Sequence, residues 1–176
     1  WFMFKRDILF HLERWKDDTH RKPLILRGAR QVGKTTVVNE FGKQFDNYLY
    51  LNLEKREAAS LFELNVSLKD LMPLFFAHCG KIRNEGTILL FIDEIQNSAK
   101  AVALLRYFYE ELPDIYVIAA GSLLENLIDV RVSFPVGRVQ YMALRPCSFR
   151  EFLGAVGEEP LLSVLDKPEI TLAFHD

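Results

Sequence analysis

Leu24-Ile25-Leu26-Arg27-Gly28-Ala29-Arg30-Gln31-Val32-Gly33-Lys34-Thr35-Thr36 is the stretch whose reading decides the fold. Residues 28–35 satisfy G-x-x-x-x-G-K-[ST], a glycine-rich turn between a strand and a helix. Each position has a chemical reason. Glycine at 28 and 33 lets the backbone approach a phosphate closely and turn N–H groups toward it. The helix opening at Lys34 adds the positive end of its dipole. The Lys34 ammonium can reach β- and γ-phosphate oxygens, and the Thr35 hydroxyl can ligate Mg²⁺. A glycine turn with a solvated lysine would share the letters. The apolar residues before it and the helical pattern after it supply the setting that phosphate binding needs. The candidate binding set is therefore Gly28, Ala29, Arg30, Gln31, Val32, Gly33, Lys34 and Thr35.

A second signal lies 58 residues beyond Thr35, where Ile88-Leu89-Leu90-Phe91-Ile92 runs into Asp93-Glu94. In open α/β sheets, ligands bind at the carboxyl ends of the strands, so Asp93 is placed to hold the Mg²⁺ shell. Glu94 can accept a hydrogen bond from an attacking water, as general base or orienting group. An ordinary acidic strand end is the alternative, and the preceding phosphate motif favours the functional reading. Ser122 follows Ile115–Ala120 and Gly121, where it can sense a γ-phosphate or cap the helical stretch 123–128. Asn52, near the end of another strand, either hydrogen-bonds Glu94 or faces outward. Arginine can stabilise charge in phosphoryl transfer. Arg138, after Gly137, is the leading candidate, ahead of Arg131 and Arg30.

Outward from these motifs, short apolar runs alternate with helical patterns, as in βαβ units around a parallel sheet. Strands are expected at 24–27, 47–53, 87–92, 115–120 and 138–144, and helices at 34–45, 67–83 and 99–112. Ser67 and Asp70 stand at capping-box spacing, and Ser148 and Glu151 form a proper box opening a helix through Ala155. The fold class is α/β, a doubly wound layer structure of five strands.

The chain has 176 residues, is 49% hydrophobic and carries net charge −2, the profile of one soluble globular domain. Its neutrality excludes a polycation that coats nucleic acid, yet the charge is unevenly placed. Residues 1–36 sum to +5, 37–127 to −5 and 128–176 to −2, so positive charge gathers where a phosphate would sit. Cys79 and Cys147 lack any CxxC or ligand spacing, which points to two reduced thiols in a cytosolic protein. No apolar run approaches the ~18 residues of a membrane span.

The sequence resembles the predicted AAA-type ATPases of bacteria and archaea, near the archaeal-ATPase and STAND-like branches of the P-loop class. The matching segments are Lys22–Thr36, Phe91–Gln96, Leu105–Pro113, Ala119–Glu125 and Ser133–Leu153. AAGSLLE and SFPVGR with the trailing PCSFREFL are the most particular of them. The resemblance implies a doubly wound P-loop NTPase parallel sheet ordered 5-1-4-3-2, with helices on both faces, and ATP with Mg²⁺ as ligands. It assigns Lys34 and Thr35 to phosphate and metal, Thr36 to the binding segment, Asp93 to metal, Glu94 to water and Ser122 to the sensor position. Residues 1–176 are then one P-loop ATPase domain, expected to be a fragment of a longer chain. The function expected is ATP binding and hydrolysis in a cytosolic molecular switch, with a protein partner or second copy supplying an arginine in trans. The alternatives are a nucleotide-gated module binding DNA or protein with little turnover, and a small-molecule kinase.

Overall fold

A computed structural model describes residues 6–121, 135 and 137–165. The strands form where apolar residues must be covered on two sides. They are β1 (Leu24–Arg27), β2 (Asn47–Asn52), β3 (Ile88–Asp93), β4 (Ile115–Gly121) and β5 (Gln140–Ala143). All pair in parallel, in the order β2-β3-β4-β1-β5, which is the expected 5-1-4-3-2 read from the other edge. The period-two pleat sends alternate residues to opposite faces. Leu24, Leu26, Leu89, Phe91, Ile118 and Ala120 form one core with α1 (Ile8–Asp17) and α2 (Lys34–Gly42). Ile25, Leu49, Leu51, Leu90, Ile92, Val117 and Ala119 form the other with α3 (Arg56–Leu61), α4 (Leu68–His78) and α5 (Ala99–Glu111). Helices thus cover both faces, and β3, an interior strand of the sheet, is buried at all six positions.

Several boundaries depart from the sequence expectations. α2 ends at Gly42 rather than at 45, because i→i−3 bonds from Lys43, Gln44 and Phe45 tighten its last turn and roll Phe45 into the core. α4 ends at His78 rather than at 83, and the residues after it guard the open side of edge strand β2. There the Lys81 ammonium donates to the Tyr48 carbonyl, and the Cys79 thiol lies 3.6 Å from the Tyr50 carbonyl. Such cover blunts the edge against pairing with another chain. Burial pushes the Cys79 thiol up, so it stays a protonated donor. α1 and the short α3 and α7 (Glu159–Leu165) were not expected. Burial of Ile8, Leu12 and Trp15, at helical spacing, explains α1.

Helix caps hold the remaining ends. Ser67 accepts from the Asp70 amide, but the Asp70 carboxylate meets the Ser67 hydroxyl rather than its amide, leaving a half box. Ser98, nearly buried, accepts from the Ala101 amide at 3.1 Å to start α5. Ser98→Ala leaves that amide without an acceptor in a dry place. The expected cost is about 1 kcal/mol, read as a lower urea midpoint at unchanged slope. α6 (Phe149–Val156) opens on the complete box expected at Ser148 and Glu151. The helical stretch expected at 123–128 lies outside the described residues.

Candidate functional site

Parallel register brings one end of every strand to a common edge. Arg27 lies opposite Gly121, Asn52 opposite Asp93, and Ile92 opposite Ala119. The loop after β1 and the carboxylates ending β3 therefore open on the same side of the sheet. The loop has a steric reason for its first glycine, since a Cβ at Gly28 would lie 2.4 Å from the Leu144 carbonyl oxygen. It has a conformational reason for its second, since Gly33 caps α2 at φ +93°. Gln31, a non-glycine, also adopts a positive φ of 63°. Backbone held in such sparsely populated regions gathers at ligand sites.

Lys34, the first residue of α2, is only 6% exposed. Its ammonium donates to the carbonyls of Gly28 at 2.7 Å and Ala29 at 2.8 Å, so it bridges its own loop. Burial lowers its pKa, opposed by the negative charges of Glu94 and Asp93. Thr35 turns the other way, and its hydroxyl donates to Asp93 Oδ2 at 2.8 Å. Asp93 is 3% exposed. Its Oδ2 also accepts from the Tyr50 hydroxyl at 3.2 Å, and its Oδ1 from the Glu94 amide at 3.1 Å. Burial raises the Asp93 carboxyl, and the hydrogen bonds from Thr35 and Tyr50 only partly offset it. Tyr50 is pushed up to about 12 by burial and by the Asp93 charge, which keeps it a donor.

Two hard oxygens in contact, a hydroxyl and a carboxylate, suit Mg²⁺, which binds one or two such groups and keeps water for the rest. Glu94 leaves the strand in a left-handed turn, at φ 53° and ψ 46°, leading into the 3₁₀ turn Ile95–Asn97. The turn sends Glu94 to a different partner from its neighbour. Gln96 Nε2 donates to the Glu94 carboxylate. Asn52 does not take that place. Its side-chain oxygen accepts from the Glu54 amide at 2.9 Å and closes the turn after β2.

Gly28, Gly33, Lys34, Thr35, Asp93 and Glu94 are thus gathered at one edge, with the backbone of Ala29 and Val32 in the same loop. Arg30, Gln31 and Thr36 are exposed beside it. Arg138 is not brought to this edge. Its guanidinium donates to Glu110 Oε1 at 2.9 Å, where Arg106 donates as well. It precedes β5, whose first residue Gln140 pairs with Leu24 at the start of β1, so it lies at the opposite end of the sheet. Ser122 and Arg131 lie outside the described residues. Tyr50 and Gln96 were missed by sequence reasoning.

A family model described as an AAA domain matches residues 20–153. Among solved structures, the Walker-type ATPase Paby2304 of Pyrococcus abyssi superposes with TM-score 0.57 at 18% identity, over 94% of this chain and 60% of that one. A chain from the structure of Drosophila ORC bound to DNA gives TM-score 0.56 at 15% identity, over 90% of this chain and 48% of that one. This chain therefore spans about half to three-fifths of those proteins. At such identities the likeness is one of fold. A search of curated proteins gives no match. Among the described residues, no helix is long and apolar enough to cross a membrane.

Proposed function

The chain belongs to the AAA-domain family, and on that premise we propose that the edge built by residues 28–35, Asp93 and Glu94 binds ATP with Mg²⁺ and hydrolyses it. The observation that carries this reading is the 2.8 Å contact between Thr35 and Asp93, 58 residues apart, beside a lysine buried over its own loop. An ammonium held on two loop carbonyls has only to exchange those acceptors for phosphate oxygens. The loop amides and the N-terminus of α2 favour the same anion. Thr35 and Asp93 would hold Mg²⁺, which would supply charge neutralisation for the phosphates. Glu94 would orient the attacking water and take up its proton. Transferring γ-phosphate to water rather than to a metabolite fits the adjacent Asp93-Glu94 pair, which is why hydrolase is preferred to kinase.

The domain is proposed to act as the ATPase part of a longer cytosolic switch, with an arginine in trans from a partner or second copy. Two free cysteines, Cys79 and Cys147, fit a reducing compartment. Isothermal titration of the complete polypeptide with ATP, with and without Mg²⁺, tests the binding, and phosphate release tests the turnover. No saturable ATP binding at millimolar concentration would end the reading. The ORC neighbour was solved on DNA, so duplex DNA forms a further arm. DNA binding that depends on ATP without phosphate release would favour the gated-module alternative.

Tyr50 provides a sharper probe of the metal side. Tyr50→Phe keeps the ring stacked on Phe91 but removes the hydroxyl that orients Asp93. Outer partners of metal ligands are worth tenfold or more in affinity, so the Mg²⁺ concentration for half-maximal turnover should rise about tenfold. A magnesium titration at saturating ATP reads it.

A further inference from the structure

One guanidinium joins three parts of the chain that are far apart in sequence. Arg6, just before α1, donates from Nε to Glu151 Oε1 at 3.0 Å, from Nη1 to the Val32 carbonyl at 3.0 Å and from Nη2 to the Arg145 carbonyl at 2.7 Å. The Glu151 carboxylate is equally engaged. Its Oε1 also accepts from the Asp7 amide at 2.9 Å, and its Oε2 from the Ser148 amide at 2.7 Å. The two side chains are 10% and 8% exposed. Burial alone would raise the Glu151 carboxyl, but the bonds from the Ser148 and Asp7 amides and from Arg6 outweigh it and hold the group low. Apart from the Ser148 contact, none of this is needed for capping α6, which Ser148 and Glu151 achieve between themselves.

The contact on Val32 has a directional consequence. In a trans peptide the carbonyl and the following N–H point in opposite directions. Arg6 holds the Val32 carbonyl on its own side, so the Gly33 N–H is turned to the other. The same guanidinium lies 3.6 Å from where a Cβ on Gly33 would stand, so loop and clasp are in contact. The far side of the joint is equally close, because Leu144 closes on Gly28 and its amide donates to the Arg27 carbonyl at 2.7 Å.

We propose that Arg6 and Glu151 form a clasp that positions the phosphate loop and ties its occupancy to the first turn of α6. Arg6 is a positioning residue, acting on ATP through the Val32–Gly33 peptide, and the proposal rests on the nucleotide reading above. ATP that fixes the loop also fixes the connector 145–148 and α6, and a partner that moves α6 changes ATP affinity by the same factor.

The test uses the complete polypeptide with Arg6→Gln, Arg6→Lys, the exposed control Arg14→Gln and the binding-dead control Lys34→Met. A fluorescent ATP analogue gives the Kd, and amide exchange is followed at 28–33 and 145–152 with and without ATP. Arg6→Gln should raise the Kd about tenfold, since small misplacements of binding groups are costly. Arg6→Lys keeps the charge but not the fork and should cost about threefold. Arg14→Gln should change nothing. In the wild type, ATP should slow exchange at both segments; in Arg6→Gln it should slow 28–33 alone. That split would not arise from a merely structural role. A Kd within twofold of wild type in Arg6→Gln, or protection of 145–152 that survives it, overturns the clasp. Should wild type itself bind no nucleotide, the ATP reading falls, and exchange of the free protein decides the rest. Joint loosening of both segments in Arg6→Gln keeps the clasp, and unchanged exchange removes it.

Discussion

Lys34→Ala is expected to weaken ATP binding at least about 100-fold, or about 2.7 kcal/mol, in titration calorimetry of the complete polypeptide. Two effects add. The variant loses charge-assisted bonds to phosphate, each worth about 1.5–3 kcal/mol. It also leaves Asp93 and Glu94 without the cation whose charge they support, so an anionic pair would face an anionic ligand. The ammonium is already dehydrated, with 6% exposure and two loop carbonyls as acceptors, and it gives up little water on binding. Lys34→Met retains the aliphatic stem and separates loss of charge from loss of packing. Equal weakening in both variants assigns the effect to the ammonium, whereas ATP affinity unchanged in both would remove Lys34 from the site.

The fold was legible where both faces of the sheet are covered. Ile88–Ile92 and Ile115–Ala120 are apolar throughout because layers lie above and below them, and Asn47–Leu53 alternates because its strand is at the edge. The strand order, by contrast, came from resemblance, since periodicity carries no information on which strand lies beside which. α1 was hidden because its stripe of Ile8, Leu12 and Trp15 is interleaved with charged residues, and Asp7 makes no side-chain cap that would announce a start.

The site divides in the same way. The meeting of Gly28, Lys34, Thr35, Asp93 and Glu94 at one edge was readable because each stands at a fixed spacing from a strand end. Tyr50 was not, because its meaning depends on the β2–β3 register, which sets it beside Phe91 and within reach of Asp93. Arg6 and Glu151 are 145 residues apart, and a capping box already accounted for Glu151. Arg138 stands apart from these residues for a reason the sequence contains. A residue that precedes a parallel strand lies at the strand's starting end, whereas ligands gather where strands finish. Asn52 gave way to Gln96 because the left-handed turn at Glu94 aims its carboxylate into the 3₁₀ turn rather than toward β2.

Glu94→Gln should leave ATP binding intact and lower turnover about 100- to 1,000-fold, the range in which a positioned general base contributes. The substitution is nearly isosteric, and an amide retains an oxygen that can accept from Gln96 Nε2. The left-handed backbone at φ 53° is no harder for glutamine than for glutamate, so the turn should survive. Electrostatics gives the sign of the binding change. Glu94 stands close enough to Lys34 to support its charge, and therefore close enough to oppose an incoming polyphosphate. Removing that negative charge should tighten ATP slightly while depriving the attacking water of its proton acceptor. Lys34→Ala and Glu94→Gln thus move affinity in opposite directions and turnover in the same one. Single-turnover phosphate release at saturating ATP, with the Kd measured alongside, separates them. Equal turnover in wild type and Glu94→Gln would sink the assignment of Glu94 to the water, while tight binding with lost turnover would support it.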